Sequence, residues 1–154
     1  MITVEIIRCP QPSSAEDAEL SKLVQAVCNR FEISRAVISV AIIGDAEIST
    51  LNREFLDHEG TTDCLSFDLS DEAAPGEPKV FELVVNGELA AREADRRGHS
   101  ARAELALYIV HGLLHQLGFD DTTSTRAREM HRTEDEILQQ FGYGLVYNSG
   151  LRAQ

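Results

Sequence analysis

The stretch His111-Gly112-Leu113-Leu114-His115-Gln116-Leu117-Gly118-Phe119-Asp120-Asp121 sets two imidazoles one helical turn apart, then a glycine, then a carboxylate. On a helix with a rise of ~1.5 Å and a turn of about 100° per residue, positions i and i+4 share one face, ~6 Å apart along the axis. Two histidines held that way can reach one ion. Gly118 can end the helix in a left-handed conformation that few other residues tolerate, folding the chain back so that Asp121 supplies a third ligand. Two neutral nitrogens and a carboxylate, with a fourth position left to water, make up a catalytic zinc site; a structural one would be closed and richer in cysteine. Without Gly118 and Asp121, the same histidine pair would read as two ordinary polar residues on a helix face.

Upstream, Leu105, Ala106, Tyr108, Ile109 and Val110 form an apolar lead-in, so the histidines sit at the end of a largely buried helix. Imidazoles in such a place need partners, and a metal ion supplies one. The elements around it follow from periodicity and punctuation. Met1 to Arg8 reads as a strand closed by Pro10 and Pro12. Ser13 or Ser14 can cap a helix in which Leu20, Leu23, Val24, Val27 and Phe31 recur at helical spacing. Val37 to Ile43 alternates as a strand up to Gly44, and Asp45 starts a short helix through Ile48, Leu51, Asn52 and Phe55. A polar loop from Asp57 to Thr62 leads to the strand Cys64 to Phe67.

Asp71 to Pro78 is a surface loop, and Val80 to Val85 the next strand. Glu88 to Arg97 and Ser100 to Leu117 form two helices split at Gly98. Thr122, Thr123 or Ser124 caps a last helix that runs to about Gln140 and is ended by Gly142 or Gly144. Four strands interleaved with about five helices predict a single α+β domain, a small four-stranded mixed sheet packed with helices.

At 154 residues the chain suits one domain with a substantial core. No apolar run approaches the ~18 residues that a membrane span requires, and the amino terminus lacks the basic start of a signal peptide. Cys9, Cys28 and Cys64 are odd in number and scattered, which reads as reduced thiols in a cytoplasmic protein. The net charge of −12 repels polyanions. Nucleic-acid affinity comes mostly from Lys and Arg on phosphate, so any RNA contact has to be local. The densest basic segment is Arg92, Arg96, Arg97 and Arg102, whose plainer reading is a solvated helix face.

Two separated segments coincide with one family. The metal segment resembles the HGxLHLxGYDH motif of the YbeY endoribonuclease family, and Leu51 to Phe67 resembles its LNxxYR…TDVLSFP stretch. The order of elements matches over essentially the whole chain. The resemblance implies a single-strand-specific, zinc-dependent endoribonuclease acting in 16S rRNA 3′-end maturation and ribosome quality control. Single-stranded rRNA and the ribosome or its proteins would be its partners, with no membrane. It departs from the family at three positions. Asp121 stands where the family has a third histidine, and its charge makes the ion less acidifying toward bound water. The motif arginine falls at Leu56, leaving Arg53 or His58 to cover phosphate contact, although His58 reads equally as a plain loop histidine. Gln116 replaces a leucine.

Zinc held by His111, His115 and Asp121 would lower the pKa of its water toward ~7 and polarise a phosphoryl oxygen. A zinc peptidase shares the histidine spacing but places a glutamate directly after the first histidine, where this chain has Gly112. A non-enzymatic reading also stands, with a structural ion and an acidic surface docked on basic ribosomal proteins.

Overall fold

The computed structural model describes residues 1–8, 15–71 and 76–144. In order, the elements are β1 (Ile2–Arg8), α1 (Ala15–Arg30), β2 (Ala36–Ile43), α2 (Asp45–Leu56), β3 (Cys64–Asp68), β4 (Lys79–Asn86), α3 (Gly87–Arg97), α4 (Ala101–Gln116) and α5 (Ser124–Gln140). The predicted mixed α+β domain is therefore present, with each predicted strand and helix within a residue or two of its expected limits. The proposed Ser13 or Ser14 cap, Pro10, Pro12 and Cys9 lie outside the described residues. Cys28 and Cys64 are free thiols.

The sheet runs β1-β2-β4-β3. β1 pairs with β2 and β2 with β4 in parallel, while β3 is the antiparallel edge. Side chains alternate across it, as the two-residue period of a strand requires. Ala36, Ile38, Val40 and Ile42 of β2, with Phe81, Leu83 and Val85 of β4, enter the main core with α1 and α4. The opposite face, carrying Leu65 and Val84, is covered by α2 through Ile48 and Leu51.

α4 is apolar almost all round and lies against α1, α3, α5, β3 and β4, which is where such a helix has to be. Ser100 caps it by accepting from the Ala103 amide at 3.1 Å. Its last turn leans on the edge strand, where the Gln116 amide donates to Ser66 Oγ at 2.8 Å. The family's leucine at position 116 could not make that bond. No helix among the described residues is long and apolar enough to cross a membrane.

Candidate metal centre

α4 ends as the glycine predicts. Gly118 has φ 100°, the Gly118 amide donates to the His115 carbonyl, and the Phe119 amide donates back to the Leu114 carbonyl at 3.0 Å. That pair of bonds is the Schellman arrangement, which satisfies two carbonyls at the helix end. Phe119 then packs edge-on against Phe31 at 5.6 Å, pinning the returning chain to the end of α1. The next two acids separate by role. Asp120 accepts from the Thr122 hydroxyl at 2.7 Å and from Arg126 at 3.0 Å, partners that hold its carboxyl below the usual range. Asp121 is left for the site.

There, His111 and His115 bring their Nε2 atoms to 3.2 Å, with the rings nearly perpendicular. A tetrahedral ion holding two nitrogens at about 2.0–2.1 Å separates them by roughly 3.3 Å. The pair is already at that spacing. One ligand atom each from His111, His115 and Asp121 lies within 4.8 Å of the others, so the donor set and its geometry fit one cation. The histidines are half-buried and Asp121 is exposed, which leaves a side open for water or substrate.

His111 and Asp121 open onto a cavity of about 430 Å³ between α3, α4, α5 and the segment before β3. Along α4 its wall is a polar stripe at 104, 108 and 111, one helical face of an otherwise apolar helix. Glu104 is buried and takes the His99 ring nitrogen at 2.5 Å and Arg97 at 3.4 Å. Burial, with Glu104 beside it, pushes the Tyr108 hydroxyl up. Glu134 of α5 is wholly buried and accepts from Nδ1 of His111 at 2.7 Å. Burial alone would lower the His111 pKa. The Glu134 bond and the charges of Glu134, Asp63 and Asp121 outweigh it and raise the pKa above the usual histidine range.

The segment from Asp57 to Asp63 reaches the site only at its end. Thr62 and Asp63 line the cavity, held there by Asn86, whose side-chain amide donates to the Thr62 carbonyl and whose backbone amide donates to the Asp63 carbonyl. Arg53, in the last turn of α2, and His58 are exposed and do not line it; Arg96 and Arg97 do. Leu56, at the family's arginine position, is exposed. Sequence reasoning missed Glu104, His131 and Glu134. Only Glu104 left a local trace, as a charge seven residues before His111 at the head of an apolar run.

Gly112 disposes of the peptidase alternative. A Cβ there would meet Cys64 Sγ at 2.7 Å and Leu83 Cδ2 at 3.2 Å, so position 112 faces the sheet and has no room for a catalytic glutamate.

Fold and geometry together describe a small α+β protein with an open group of two histidines and one carboxylate that could hold a cation at the end of its central helix. Residues 7–142 match the family Endoribonuclease YbeY. The chain belongs to that family. It is similar to an Endoribonuclease YbeY of Anaeromyxobacter sp. (strain Fw109-5), 40% identical over 107 residues, which are 70% of this chain and 55% of that protein. It is also similar to one from Bacillus licheniformis, 32% identical over 92% of this chain and 93% of the relative. A protein of Thermotoga maritima solved in solution shares the fold, with a TM-score of 0.60 and 22% identity over 92% of this chain and 89% of its own.

Proposed function

We propose that residues 1–154 act as one metal-dependent endoribonuclease domain that hydrolyses phosphodiesters of single-stranded RNA, with one zinc ion held by His111, His115 and Asp121. The observation that carries this is the 3.2 Å convergence of two imidazole nitrogens beside Asp121, at the mouth of a cavity, in a chain of this family. Zinc bound there would supply an acidified water and a Lewis acid for a phosphoryl oxygen.

The rest falls to the chain's own side chains. The cavity is lined by five carboxylates, Asp63, Glu93, Glu104, Asp121 and Glu134, and by two guanidiniums, Arg96 and Arg97. An RNA phosphate therefore needs these arginines as well as the ion, and we assign them its contact. Arg53 and His58, outside the lining, serve the strand leading to it. The finer role we assign is 16S rRNA 3′-end maturation and ribosome quality control in the cytoplasm, with the acidic surface facing basic ribosomal proteins.

Purified protein carrying zinc should cut unstructured RNA, and His115→Ala should abolish cleavage while its circular dichroism stays native. Wild-type protein that binds zinc yet leaves such RNA intact would instead support the non-catalytic ribosome-assembly reading. A His115→Ala variant that cleaves normally would remove this site from the chemistry.

A further inference from the structure

Glu134 does more than meet His111. Its Oε2 takes Nδ1 of His111 at 2.7 Å, and its Oε1 takes Nδ1 of His131 at 2.7 Å. A buried carboxylate offers only lone pairs, so both ring nitrogens are the donors. The two imidazoles lie almost parallel, 9° apart with centroids at 6.3 Å, on either side of one carboxylate. His131 precedes Glu134 by three residues on α5, and both line the cavity with His111.

We propose that His131 and Glu134 are a positioning pair for His111. Glu134 keeps the proton of His111 on Nδ1, so its Nε2 lone pair points at His115 and the ion, and His131 holds Glu134 in place by occupying its second oxygen. Without His131, Oε1 of this buried carboxylate would lose its side-chain donor. The carboxylate would then be free to turn, which loosens its hold on His111. The inference rests on the cation site but not on RNA cleavage.

The test uses His131→Phe, which keeps a flat ring against His111 and removes the Nδ1 donor, alongside Glu134→Gln, which leaves one acceptor for two donors. Zinc affinity, measured by chelator competition, should fall about tenfold in His131→Phe and up to about a hundredfold in Glu134→Gln, the range for removing an outer partner of a metal-bound histidine. Long-range nitrogen–proton NMR on metal-free protein should show His111 as the Nδ1–H tautomer in wild type and as a mixture in His131→Phe. If wild type takes up no zinc, the cation reading fails, while the tautomer still tests the pair. Should Glu134→Gln not fold, His131→Phe decides alone. A His131→Phe protein with wild-type zinc affinity and a pure Nδ1–H tautomer overturns the proposal.

Discussion

Gly112 stands between the two histidines of the candidate metal site, and replacing it with alanine tests whether the site depends on how closely α4 lies against the edge of the sheet. The added Cβ would sit 2.7 Å from Cys64 Sγ and 3.2 Å from Leu83 Cδ2, against an ordinary contact of about 3.5–4.0 Å. The Leu83 methyl can yield a few tenths of an ångström. The sulfur cannot yield a full ångström without turning Cys64 or pushing α4 away from β3. Overpacking of this kind costs about 1–3 kcal/mol, and alanine in a helix returns about 1 kcal/mol relative to glycine. The net destabilisation is then roughly 1 kcal/mol, or about 2–4 °C in Tm for a domain of this size.

The effect on metal binding should be larger in proportion. His111 and His115 would move with α4, whereas Asp121 hangs on a loop anchored through Phe119 on Phe31, so the triangle of ligands opens. Zinc affinity is expected to drop about tenfold by chelator competition. Adding Cys64→Ala removes the obstructing sulfur and should restore both quantities, with a favourable coupling of about 1 kcal/mol in the double-mutant cycle. A Gly112→Ala protein that gains the full helix-propensity increment, binds zinc as wild type does and is strictly additive with Cys64→Ala would refute the close approach of α4 to β3.

Asp121→His should keep one metal equivalent per chain, because an exposed position has room for an imidazole and the ion's positive charge is then less offset; cleavage should rise. Elemental analysis showing loss of the metal would mean that Asp121 is not replaceable as a ligand. Zinc binding should also weaken as pH falls, beginning above the usual histidine range, because the ion needs neutral imidazole and His111 holds its proton to higher pH than a free histidine does. An apparent zinc affinity unchanged between pH 8 and pH 6 would contradict the raised His111 pKa.

What could be seen in the sequence was what lies within one or two turns of itself. The i, i+4 pair, the glycine that reverses the chain and the carboxylate three residues later are local geometry, and the structure brings all three to one point. Caps are equally local, and Ser100 and Thr123 accept from the amides three residues on, as side chains of that type do at a helix start. Strand order was not legible, because alternation says which face of a strand is buried and nothing about its neighbour.

The supports of the site escaped for the same reason. Glu134 is 23 residues beyond His111, on a helix whose pattern marks only its apolar side, and a glutamate there looks like solvated surface until α5 docks on α4. The positive charges of the cavity show the limit most sharply. The vacant arginine position at Leu56 directed attention to its neighbours in sequence, Arg53 and His58. The cavity instead draws its guanidiniums, Arg96 and Arg97, from the end of α3, which the glycine turn at Gly98 folds against α4. Which guanidiniums border that space is set by how the helices pack, and a gap in one loop of the sequence does not reveal it.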